Sequence, residues 1–194
     1  MSGEKPRIIA ARVLGRRSPG EYVEDLLDEA LATSRLSSPD RHLCQELVYG
    51  AVRWQAALDW LIARKTNNRT QKLGLQNLLR LGLYQIFWLD RIPNHAAVHE
   101  TVEMAKTGGF GPQSGFVNAV LRGYIRELEP TRQLLQELKL QQPALGFSHL
   151  QCPWSGCDFS EGSGSVNLKL TCRMHSTWSA AAYVRDTGSS TVWT

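Results

Sequence analysis

The chain has 194 residues, 42% hydrophobic and 21% charged, enough to enclose one core, and its net charge of +4 permits nucleic-acid binding without requiring it. No run of about eighteen uncharged apolar residues occurs, which excludes a membrane-spanning helix. Met1–Arg17 is basic but lacks the apolar stretch of a secretory signal, and four cysteines are too few for a disulfide framework, so we expect a reducing, cytoplasmic setting.

Ile8, Ile9, Ala11, Val13 and Leu14 predict a short first helix, ended by the breaker Ser18-Pro19-Gly20. Tyr22, Val23, Leu26, Leu27, Ala30 and Leu31 recur at three and four residues, the apolar face of a second helix. Ser38 is the expected cap of a long third helix, with Pro39 at its first position and a face running through Leu43, Leu47, Val48, Val52, Leu58, Leu61 and Ile62. Thr66–Thr70, with two Asn, reads as a loop. A very apolar fourth helix over Leu75–Leu89 is dense enough to be the buried centre of a bundle. Pro93 precedes a fifth helix that ends at Gly108-Gly109. A sixth runs from about Gln113 to Leu128, stops before Pro130, and is followed by a short seventh over Thr131–Leu140. Nothing of any length alternates with the period of a strand. Residues 1–140 therefore predict an all-α bundle of about six or seven helices.

Residues 141–194 are different. They hold three basic and three acidic residues, against 19 and 15 in residues 1–140, together with nine Ser, three of the four Cys and three of the six Trp. Periodic aliphatic residues are too few for a core, so we expect an irregular tail, disordered or non-native, outside the helical domain.

Specific phrases then carry a likeness. Leu26-Leu27-Asp28-Glu29-Ala30-Leu31, Glu46-Leu47-Val48-Tyr49-Gly50, Arg53-Trp54, Leu58-Asp59-Trp60-Leu61, Leu79-Arg80-Leu81-Gly82-Leu83-Tyr84-Gln85, His95-Ala96-Ala97-Val98, Glu103-Met104-Ala105-Lys106 and Gly115-Phe116-Val117-Asn118-Ala119-Val120-Leu121-Arg122 occur in that order. Together they resemble the N-terminal NusB-like domain of the Sun (RsmB) family of ribosomal RNA 5-methylcytosine methyltransferases, over roughly residues 5–128. The stand-alone NusB antitermination factor shares the later blocks, whereas the Val-Tyr-Gly, Arg-Trp and Leu-Asp-Trp blocks are more similar to the methyltransferase version. The resemblance implies an RNA-binding bundle with ribosomal RNA as partner. In full-length members it implies a following Rossmann-like domain that uses S-adenosylmethionine and two cysteines, in Pro-Cys and Thr-Cys-Ser motifs.

This chain is too short for that domain. Thr171-Cys172 is followed by Arg173, Cys152-Pro153 has the reverse order, and Gly162 and Gly164 lack a preceding strand. We expect no catalytic and no cofactor-binding residue here, and no methylation by the chain alone. The alternative reading is an antitermination factor of the NusB type, binding RNA and a ribosomal or transcription-factor protein.

Lys5, Arg7, Arg12, Arg16 and Arg17 form the best nucleic-acid candidate. Arginine's planar fork suits phosphate, and Arg12 and Arg16 are four apart and share a helix face. The residues alone equally describe a solvated basic face; the resemblance favours RNA contact, the corresponding segment of NusB-like domains being arginine-rich. Lys106 and Arg122 extend that surface. His95, His99 and Glu103 recur at a spacing compatible with a metal, but helix-start and packing roles account for them and we assign none. Asn118, in an apolar stretch, is expected to be a buried amide bonded to loop backbone. In the tail Cys152, Cys157, Cys172 and His175 have broadly finger-like zinc spacing, although the Cys-x2-His end is unusual.

The likeness continues through Leu145-Gly146-Phe147-Ser148-His149 and stops at Leu150, where the family has Pro. A change of reading frame near His149 is the expectation this raises, and the coding DNA read in all three frames from Phe147 tests it. Restored Ser-His-Pro, Pro-Cys and Thr-Cys-Ser motifs in another frame are the expected result; their absence from every frame would overturn it.

Overall fold

The structure, a computed structural model, describes residues 5–18 and 21–141, which form eight α-helices and one 3-10 turn and contain no strand. They are α1 (Pro6–Arg16), α2 (Val23–Thr33), α3 (Ser38–Arg53), α4 (Gln55–Thr66), α5 (Leu73–Trp88), α6 (Asn94–Thr107), α7 (Ser114–Arg126) and α8 (Leu128–Gln141), with the turn at Gly111–Gln113. The all-α reading holds. The tail 141–194, apart from Gln141 at the end of α8, lies outside the described residues, and so do Cys152, Cys157, Cys172 and His175.

Three boundaries differ from the sequence reading, each for a local reason. The long third helix is two helices, because Trp54 leaves helical geometry at φ −98° and ψ 14°. Its N–H still closes α3 onto Gly50 O at 3.0 Å, and its side chain is buried with the ring centroid 4.8 Å from that of Trp88. Packing of this indole thus sets the corner between α3 and α4. The cap of α3 is Ser37, not Ser38: its hydroxyl accepts from Asp40 N at 3.3 Å and donates to Asp40 Oδ2 at 2.7 Å. Pro130 does not separate two helices but sits in the first turn of α8, where a missing N–H leaves no helical bond unmade. The break at Trp54 raises the count from seven to eight.

Other ends match. Gly108-Gly109 closes α6 with Gly109 at φ 83°, and the next N–H, of Phe110, reaches back to Ala105 O at 2.9 Å. Asn67 and Asn68 take left-handed conformations after α4, which short polar side chains tolerate.

α5 is the centre. Eleven of its sixteen residues are buried, and it packs against α1, α3, α4, α6 and α7. Close approach at two points is possible only with glycine. A Cβ at Gly50 on α3 would fall 1.9 Å from the Tyr84 ring, and one at Gly82 would fall 3.0 Å from Leu121 and 3.1 Å from Thr101. Tyr84 cannot easily move aside, since it is nearly fully buried and its hydroxyl donates to Glu46. Between α4 and α5 lies a two-pronged ion pair. Arg80 Nε and Nη2 each donate to one oxygen of Asp59 at 2.7 Å, while Arg80 Nη1 reaches Asn77 Oδ1 and Gln76 Nε2 reaches Asp59.

Two outcomes follow for stability, read from urea midpoints of the full chain. Gly50→Ala destabilises by about 1–3 kcal/mol, the usual range of overpacking, and by more than Gly82→Ala, whose neighbours need give only a few tenths of an ångström. Asp59→Leu leaves the Arg80 guanidinium mostly buried without its carboxylate and costs about 3 kcal/mol, whereas Asp59→Leu with Arg80→Met recovers most of that loss.

Candidate nucleic-acid interface

The apolar spacing of α1 decides where its arginines point. Ile9, Ala10, Val13 and Leu14 are buried against α2, α3 and α5, which leaves Arg12 and Arg16 exposed on the other side. Arg7 is drawn inward. Its Nε donates to Gln85 Oε1 at 2.7 Å, and Gln85, with no exposed surface, gives its own amide N–H to Leu81 O at 2.9 Å. Arg17 behaves alike at the other end, donating from Nη1 to Gln55 Oε1 at 2.9 Å.

Burial lowers the pKa of both guanidinium groups. Glu100 and Asp40 oppose the shift at Arg7, while at Arg17 the neighbouring Arg80 adds to it and Glu24 opposes it. An arginine begins so far above neutrality that both stay cations. The predicted basic cluster is therefore two kinds of residue: Arg7 and Arg17 bound to neutral amides in the bundle, Arg12 and Arg16 on its surface.

The surface groups have carboxylate or amide neighbours that water also reaches. Arg16 contacts Glu29 at 3.3 and 3.4 Å, both side chains more than half exposed. Lys5 crosses to α6 and meets Glu100 at 3.1 Å. Lys106 bonds Glu103 at 2.6 Å and holds that carboxyl below its ordinary range, with His99 and Lys5 adding smaller contributions. The field of Lys5 on Glu103 brings the start of α1 and the end of α6 into one electrostatic group. Arg122 is exposed on α7, donating from Nε to Asn118 Oδ1 at 2.9 Å. Asn118 is thus only half-buried and serves an arginine, not loop backbone as expected.

The seven candidates lie along α1 and its two caps, on α6 and on α7. Ten residues of helix rise, about 15 Å, separate Arg7 from Arg17. Lys106 belongs with the beginning of α1, and Arg122 lies on α7. His95 and His99 are exposed on α6, and among the described residues no three His, Cys, Asp or Glu side chains converge on a possible metal site. Sequence reasoning missed Arg80, whose signal was Asp59 standing alone between apolar positions of α4.

A sequence model of the NusB family matches residues 4–126, which is α1 through α7. The chain is 37% identical over 174 residues to a protein of Synechocystis named probable ribosomal RNA small subunit methyltransferase B, covering 89% of this chain and 38% of that one. A Bacillus subtilis protein of the same name is 35% identical over 156 residues, covering 79% and 34%. The Pseudomonas putida ribosomal RNA small subunit methyltransferase B is 38% identical over 131 residues, covering 64% and 28%. The chain thus spans about a third of the length of these curated relatives, and the first alignment reaches past residue 170 into the low-charge segment. With its seven-helix bundle matched from end to end, the chain belongs to the NusB family.

Proposed function

We propose that the helical domain holds ribosomal RNA by its phosphates, and that in longer proteins containing it the domain presents this RNA to a methyl-transferring partner domain. The observation that carries the reading is the placement of Arg12 and Arg16 on the exposed side of α1. The Arg16–Glu29 pair is exposed, and pairs of that kind contribute about 0–1 kcal/mol, so a phosphate readily replaces the carboxylate. Arg17 adds to the field at this end of α1, since its hydrogen-bond partner is a neutral amide and Arg80 and Glu24 act on it with opposite sign. Lys106 and Arg122 supply further cations on α6 and α7. Contacts of this type position RNA and carry little sequence information.

Ribosomal RNA is named by the relatives, and it makes the cytoplasm the working compartment. Those relatives are methyltransferases, which favours this reading over an antitermination factor with a protein partner. No strand lies among the described residues, so the bundle offers S-adenosylmethionine no strand–loop–helix cradle, and no step of methyl transfer is assigned to it.

The test is RNA affinity measured against salt with the full chain. Affinity for structured ribosomal RNA falls steeply between about 50 and about 300 mM salt, and Arg12→Gln with Arg16→Gln reduces the logarithmic slope by about 1.4–1.8. Arg7→Gln instead lowers the melting temperature, because it removes the partner of buried Gln85, and changes affinity less. A slope unaltered by the double change would overturn the reading.

A further inference from the structure

Far along the chain from α1, a cleft of about 310 Å³ opens between α8, the beginning of α4 and the end of α5. Its inner wall is aromatic: Trp54, Trp60, Phe87 and Trp88. Its outer wall belongs to α8 and is mixed: Arg132 and Gln136 alternate with Leu135 and Leu138. We propose that this cleft takes an unpaired nucleobase of RNA, stacked on the indole rings, with the adjoining phosphate at Arg132. The inference rests on the RNA-binding reading and extends it to a second surface that reads bases.

The aromatic wall is built in advance of any ligand. Trp54 and Trp88 lie 4.8 Å apart between centroids at 36°, and Phe87 meets Trp88 edge-on at 5.9 Å. Behind them Tyr84 stacks on Trp88 at 5.8 Å and 17°, itself tied to Glu46. Trp60 and Trp88 are only partly buried, so the cleft reaches indole surface already held in place by its neighbours.

Cations stand at the same place. The Arg64 guanidinium lies 5.8 Å from the centroid of the Trp60 ring. Arg132 contacts Glu129 at 3.1 Å and Asp90 at 3.5 Å, but these carboxylates are 71% and 89% exposed, so their hold is slight. Aromatic faces interleaved with arginines are what a single-stranded nucleic acid meets, the base on the ring and the phosphate on the cation. Gln136 and Asp90 add a donor amide and an acceptor carboxylate for a base edge. A protein helix fits less well, because the cleft has the size of a small-molecule site and Arg132 and Gln136 interrupt the apolar surface of Leu135 and Leu138.

The test uses the full chain and a labelled single-stranded oligouridylate of about twelve nucleotides, read by fluorescence anisotropy. Trp60→Leu weakens binding about 5- to 100-fold, and Trp60→Phe restores most of it. Because stacking is not screened, the Trp60→Leu ratio stays constant between about 50 and about 300 mM salt, whereas the loss in Arg12→Gln with Arg16→Gln shrinks. Arg132→Gln, on the outer helix and away from the core, weakens binding about 3- to 10-fold and keeps the test open if Trp60→Leu fails to fold. If oligouridylate affinity is unchanged in Trp60→Leu and Arg132→Gln, as it would be were the cleft a seat for a protein segment, the proposal is overturned. The RNA-binding reading then still stands provided the α1 double variant binds less. If the unaltered chain binds neither oligouridylate nor structured RNA, both fail.

Discussion

Enclosing α5 is the constraint from which the rest of this structure follows. A helix apolar on nearly all sides has to be covered on all sides, and five other helices do so. Covering it demands glycine where neighbouring side chains close in, Tyr84 on Gly50 and Leu121 and Thr101 on Gly82. It also demands partners for the polar groups that α5 carries inside. Gln85 takes Arg7 from α1, and Arg80 reaches out to Asp59 on α4. The core therefore draws some basic residues inward before any ligand is considered, while on α1 Arg12 and Arg16 keep to the exposed surface.

A net charge of +4 gives a poor account of such a surface. Arg80 and Lys65 each hold a carboxylate at 2.9 Å or less, so much of their charge is answered locally. What remains for an anion is decided by exposure. The Arg80–Asp59 pair is shielded and two-pronged, and a phosphate would have to break good geometry to enter it. Arg16–Glu29 is longer and open to water, so exchange of one anion for another is nearly even in energy. The same reasoning separates Arg132, with its exposed acids, from Arg7, whose neutral amide partner is buried.

Much of the bundle was legible because its signals are local. The apolar density of α5, the Pro93 and Gly108-Gly109 boundaries of α6 and the faces of α1 and α2 are properties of short windows. The break at Trp54 was not read, although the gap from Val52 to Leu58 departs from three-and-four spacing; what makes it a corner is an indole packing on Trp88, more than thirty residues away. Pro130 was taken for a stop because its place in a helix depends on where the helix starts. The candidate interface was half legible. At about 100° per residue, Arg17 falls in phase with Ile9, Ala10, Val13 and Leu14, Arg7 and Arg16 flank that stripe, and Arg12 lies opposite. Phase thus separates Arg12 from Arg17, but only the tertiary partners Gln85 and Glu29 separate Arg7 from Arg16.

The position of α8 gives the aromatic cleft its meaning. The family match ends at residue 126, with α7, so the shared bundle supplies the indole wall and α8 supplies the polar one. A bundle that stopped at α7 would leave Trp60 and Trp88 as an apolar face, which water opposes and which a neighbour would cover. Adding a helix with Arg132 and Gln136 beside Leu135 and Leu138 converts that face into a slot with one aromatic side and one that mixes apolar and hydrogen-bonding groups. Phosphate contacts on α1 act on any RNA alike, whereas a slot of this kind admits only a base free of its stack. On the proposed reading, α8 therefore adds to the phosphate contacts of α1 a place that would distinguish unpaired from paired strands.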